Sequence, residues 1–157
     1  MPRLAIVLAG LALGGALVNT VLGIVAGLGY IGIRSHVLVA IPTSILGLAG
    51  WTVVVLHFAG SHAWVRETVT GAGLDQALID RSLAIRRGIL PWAGAAVLGL
   101  VATYVLGGGA DTGAVRPAVH LGLSLVTVFL HLVACYRTII LAGMSLDLVE
   151  MVEREMP

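Results

Sequence analysis

Five histidines are the side chains of this sequence best equipped for chemistry: His36, His57, His62, His120 and His131. A neutral imidazole ligates iron or zinc, and it exchanges a proton close to neutral pH. Spacing narrows the options. His120, Ser124, Thr127, His131, Cys135 and Thr138 are separated by three or four residues each. On a helix of 3.6 residues per turn they form one polar stripe. His36, Thr43, Gly47, Gly50 and His57 fall within about one quadrant of a second helix, at ~100° per residue. A polar stripe facing lipid is costly, so both faces are expected to point into a bundle or at another subunit.

Two histidine-bearing helix faces suggest bis-histidine haem b, with His36, His120 and His131 as candidate ligands. Depth tests the pairing. His36 and His120 both lie near one entrance, so they can share an iron. His57 follows His36 by ~31 Å of helix, whereas His131 follows His120 by only ~16 Å. A second level pair is therefore disfavoured by ~15 Å. His57 and His62 are weaker metal candidates, because a five-residue step turns them ~140° apart. The bland alternative is that these groups hydrogen-bond to neighbouring hydroxyls and carbonyls. A proton or ion path is the third reading.

The elements that carry these residues follow from composition. Of 157 residues, 59% are hydrophobic and 11% charged, with a mean hydropathy of +1.05. Soluble domains run at about 45–50% apolar and about 25% charged. A soluble enzyme and a nucleic-acid-binding domain are excluded, and a net charge of +1 implies no polyanionic partner. One cysteine, Cys135, permits neither an intramolecular disulfide nor a Cys-rich metal site. No P-loop, GxSxG elbow, intramembrane carboxylate or arginine ladder occurs.

A membrane-crossing helix needs ~20 apolar residues. Four stretches qualify, at about 4–33, 37–58, 89–106 and 115–141. The first is about twice the length of a signal-peptide core and reads as a retained span. Its Gly10-x3-Gly14 and Gly23-x3-Gly27 spacings predict close helix contact. Spans one and two are joined by a turn at 32–35, and spans three and four by a flexible glycine-rich loop at 107–113. Pro42 and Pro91 are placed near helix beginnings. The fold class is all-α: a single transmembrane domain over 1–157, an up-down four-helix bundle.

Arg3, Arg66, Arg81, Arg86, Arg87, Arg137 and Arg154 fall on one side and only Arg34 and Arg116 on the other. The positive-inside rule puts both termini in the cytoplasm, with a bacterial inner membrane as the expected location. The middle segment breaks at 71–73. It then predicts a short amphipathic helix near 77–85 lying at the membrane surface. The fourth span is expected to continue as a helix over 142–155. Arg86, Arg87 and Arg137 are candidate contacts for lipid or another anion.

Three functions fit this pattern. One is a small non-catalytic subunit of a larger membrane complex, respiratory or photosynthetic. Another is a haem b electron-transfer subunit. The third is a homo-oligomeric channel or transporter. Expected partners are the bilayer and other membrane subunits or further copies, with no nucleic acid.

Overall fold

The four apolar runs become four helices in the computed structural model, which describes residues 2–156. They are α1 (Pro2–Gly27), α2 (Ile33–Ala72), α3 (Ala77–Asp111) and α4 (Pro117–Glu155). At 1.5 Å per residue their lengths are ~39, ~60, ~52 and ~58 Å. They pack as a ring in which α1 touches α2 and α4, and α3 touches the same two. A smaller contact joins α2 to α4.

Side chains are sorted in the reverse of a water-soluble bundle. Around a few large buried side chains such as Trp51, Phe58 and Ile89, the interior is rich in small and hydroxyl residues: Ala5, Ala9, Ala12 and Ala16 of α1, Gly47 and Gly50 of α2, Thr127 and Thr138 of α4. Leucine, valine and isoleucine point outward, as at Leu11, Leu46, Leu98 and Leu125. Lipid tails solvate such side chains as well as a protein core does, so close backbone packing replaces the hydrophobic drive. Four glycine contacts show how close. A Cβ on Gly50 would lie 3.2 Å from the Leu8 carbonyl oxygen, and one on Gly99 would lie 3.0 Å from the Thr127 hydroxyl. Gly47 and Gly88 seat Leu100 and Leu141. The glycine spacings of the first span are used less than expected. Gly23 meets His36, but Gly10, Gly14 and Gly27 have nothing within 4 Å of a would-be Cβ.

The exposed large apolar residues form a belt. On α2 they run from Ile33 to Leu56, and on α4 from Val119 to Ile140 before thinning to Met144 and Leu146. The α4 stretch is ~32 Å tall, close to the ~30 Å of bilayer hydrocarbon. On α1 the belt begins at Leu4, one residue past Arg3. Beyond it α2, α3 and α4 continue without α1 for ~16–24 Å. This three-helix stalk has its own core of Val65, Val69, Leu78, Ile85, Leu148 and Val152.

Helix ends differ from the sequence expectations in four places. The break at 71–73 is present, with Gly73 in the left-handed conformation at φ 68°. The amphipathic 77–85 segment is helical, but it is the beginning of α3 and not a separate surface helix. Asp75 Oδ1 accepts the Ala77 N–H at 2.9 Å and starts it. Nothing breaks the chain before the third span, since Gly88 is held by Leu141. The glycine-rich 107–113 loop is also largely helical, because α3 runs to Asp111. Its glycines admit neighbours: Val115 packs on Gly109 and His120 on Gly107. Conversely, α1 stops at Gly27, six residues short of the expected span. Pro42 and Pro91 lie inside α2 and α3, not near their beginnings. Transmembrane helices tolerate such positions because neighbouring groups re-satisfy the backbone.

Candidate functional site

The polar stripe of α4 faces inward. Ser124, Thr127, His131, Cys135 and Thr138 are buried, and His120 is half-buried. Hydroxyls on this stripe first satisfy themselves on their own helix. Ser124 donates to the His120 carbonyl at 2.9 Å and Thr138 to the Ala134 carbonyl at 2.8 Å. Cross-helix bonds then tie the ring together. Thr103 of α3 and Thr127 share a hydroxyl bond of 2.8 Å, and Asn19 Nδ2 of α1 donates to Thr43 Oγ1 of α2 at 2.5 Å. In the stalk, Ser145 donates to Ser61 at 3.2 Å.

His131 is the centre of this seam, with 0% of its surface exposed. Its Nδ1 lies 2.9 Å from the Thr127 carbonyl oxygen. A carbonyl only accepts, so Nδ1 carries the hydrogen and Nε2 is left a bare acceptor. Nε2 is buried without a partner. The indole of Trp51, also 0% exposed, meets the imidazole edge-on at a centroid distance of 5.7 Å and 74°. Trp51 Nε1–H is buried without a partner too. An unpaired donor and an unpaired acceptor thus belong to two rings in contact.

The Trp51–His131 contact sets the depth of the other histidines. His36 lies 15 residues above Trp51 and His120 lies 11 above His131, so the two differ by ~6 Å along the helices. His36 packs on Gly23 of α1 and His120 on Gly107 of α3. Each ring is therefore seated against a different neighbour, and each has a buried Nδ1 without a partner. His36 stays within electrostatic range of His120 and of Asp111. His57 lies six residues below Trp51, ~9 Å below the level of His131. It packs edge-on against Phe58 at 5.2 Å, and its Nε2 has no partner. Neither pair is level, and His131 stands apart from the mouth histidines by ~16 Å or more.

His62 turns away from His57 toward α3. Ser82 Oγ donates to the Ile79 carbonyl at 2.8 Å, so His62 Nδ1–H donates to Ser82 Oγ at 2.7 Å. Six residues past Leu56, it stands ~9 Å beyond the apolar belt. Burial first, then the Arg86 and Arg66 charges, hold its proton affinity below the ordinary value of 6.5. A lowered folded-state pKa favours the neutral ring. This contribution to stability is complete above the ordinary value and is lost as pH falls through the lowered one. His62→Gln is expected to lose less thermal stability than the wild type between pH 7.5 and 5. Melting curves in detergent check this, and equal acid losses would refute it.

Among the described residues, no three His, Cys, Asp or Glu side chains converge as a metal site. Arg87 and Arg137 are exposed at the base of the stalk, and Arg86, next to Arg87 in sequence, is half-buried. Between α3 and α4 the stalk carries an open groove of about 270 Å³, lined among others by Arg81, Ile85, Met144, Asp147 and Met151. Neither Trp51 nor Asn19 is among the candidate residues read from the sequence. Only Asn19 was within reach. Asn19 is the one asparagine of the chain, whereas Trp51 falls ~60° from His36 and outside the polar quadrant of α2.

Fold and seam together define an integral membrane protein: four apolar helices closed around a hydrogen-bonded polar core and in contact with lipid. Comparison with protein-family models, curated proteins and solved structures finds no match to this chain.

Proposed function

We propose that the chain is a small non-catalytic subunit of a larger membrane complex, respiratory or photosynthetic in type. Both termini and the stalk face the cytoplasm of a bacterial cell. The stalk is the observation that carries this reading. The helices α2, α3 and α4 extend ~16–24 Å past the hydrocarbon. A chain that needed only to sit in the bilayer has no use for that extension. A partner subunit does, since it offers a rigid surface at a fixed height above the membrane. The filled interior agrees with the reading, because Trp51, Phe58, Ile89 and His131 are fully buried where a substrate passage would run.

The test is extraction in a mild detergent followed by native sizing and cross-linking from a cysteine introduced at Asp75. A larger assembly with one cross-linked partner in fixed ratio is expected. A monodisperse monomer without cross-links would overturn the proposal. Labelling of the same cysteine from outside the cell would overturn the orientation.

A haem b subunit is the second reading, favoured by the His131 tautomer. An Nδ1–H bonded to a carbonyl leaves Nε2 free, as metal-ligating imidazoles require. The Trp51 ring stands against His131, so a macrocycle here needs Trp51 to swing aside. His36 and His120 at the mouth are the freer pair. A reduced-minus-oxidised spectrum without a b-type band in the purified protein ends this reading.

A further inference from the structure

The charges near the stalk are segregated by depth. Taking Ile140 as the edge of the apolar belt, Arg137 lies ~4 Å inside it. Gly88 packs on Leu141, which places Arg87 and Arg86 within ~5 Å outside the edge. Arg3, in the first turn of α1, stands beside the first exposed apolar residue, Leu4. No carboxylate shares this layer. The first is Asp147, ~10 Å beyond Ile140, and Asp80, Glu67, Glu150, Glu153 and Asp75 lie farther out. The stalk therefore has an arginine collar at its base and a mainly acidic crown.

The collar is also unpaired within the protein. Arg154 with Glu150, at 3.6 Å, is the sole ion pair among the described residues, and it belongs to the crown. Arg86 is half-buried, and its Nε–H is shut off from solvent with no acceptor. A buried charged donor without an acceptor is costly. Tyr136 and Trp92 lie at the same depth, where aromatic side chains commonly anchor a helix to the headgroup layer. Anions are the missing partners, and this layer of a bilayer supplies them as phosphodiesters.

We propose that the collar of Arg3, Arg86, Arg87 and Arg137 is a binding site for anionic phospholipid headgroups. Guanidinium forks match phosphate oxygens in shape as well as charge. The acidic crown, set ~10 Å farther out, keeps the lipid contact at the base of the stalk and leaves the tip repelled from an anionic surface. The proposal requires only that the bundle is in a bilayer, and it stands or falls independently of the subunit reading.

Native mass spectrometry of the full chain, delipidated and titrated with phosphatidylglycerol or phosphatidylcholine, tests it. Phosphatidylglycerol adducts should be preferred. The preference should fall about fivefold for each arginine removed in Arg87→Gln and Arg137→Gln, both exposed and safe for folding. The double variant Arg34→Gln/Arg116→Gln, at the opposite end, should keep the preference. Equal binding of the two lipids would overturn the site, as would an equal loss in the Arg34/Arg116 variant. Millimolar inorganic phosphate should not compete. Displacement of the lipid by it would reassign the collar to a free anion.

Discussion

Trp51→Ala will unfold about 3 kcal/mol more easily than the wild-type chain in a mixed-micelle denaturant titration. Trp51 is fully buried at the one level where α2 meets the His131 ring of α4. Tryptophan truncations in water-soluble cores cost about 3–5 kcal/mol. The low end applies here, because an unfolded chain in a micelle still keeps the indole out of water. What is lost is packing, through a void at the centre of the ring. His131→Leu provides the contrast. It removes one bond to a backbone carbonyl, but it also removes the orphaned Nε2 acceptor. The two effects oppose one another, and the variant should stay within about 1 kcal/mol of wild type. If His131→Leu proves as damaging as Trp51→Ala, Nε2 has a partner that the protein fold alone does not provide.

Gly50→Leu should have the second-largest effect, lowering stability by up to about 3 kcal/mol. The Cβ it introduces meets the Leu8 carbonyl oxygen at 3.2 Å. That atom is helix backbone, so α1 must move away as a body, and its alanine face with it. Gly10→Leu is the matched control on the opposite side of α1, where a Cβ meets nothing within 4 Å. It should melt like the wild type. Fluorescence-detected thermal melts in detergent separate the two. A loss in Gly10→Leu equal to that in Gly50→Leu would mean the outer face of α1 is packed in the native protein.

The number of helices, their placement in a membrane and the inward direction of the α4 stripe were legible in the sequence. Each follows from periodicity and from the cost of polar groups in hydrocarbon. Less legible were the helix ends. Residues 107–111 read as a loop because glycine is a poor helix former, yet His120 and Val115 need the space those glycines leave. Glycine pairs in the first span read as contact motifs, but the contact is made by alanines, with Gly15 and Gly23 opposite Thr43 and His36. Spacing reports which residues share a face and not which face meets a neighbour. His57 and His131 are offset in depth, by ~9 Å and not by the ~15 Å expected from their spacing. The error came from treating His36 and His120 as level, which the Trp51–His131 contact corrects. Pairing of Trp51 with His131 was beyond periodicity altogether, since it depends on the rotation of two helices about their own axes.

The ring of contacts also has a consequence in time. Helices emerge from the ribosome in order, and α1 finds its second neighbour only when α4, made after the other three, arrives. Until then the alanine face of α1 is half covered, and Trp51 waits without the ring it rests on. A nascent chain with the first three helices inserted therefore has Thr103 and Trp51 without their α4 partners. The exposure of those groups lasts until α4 is threaded into place between α1 and α3.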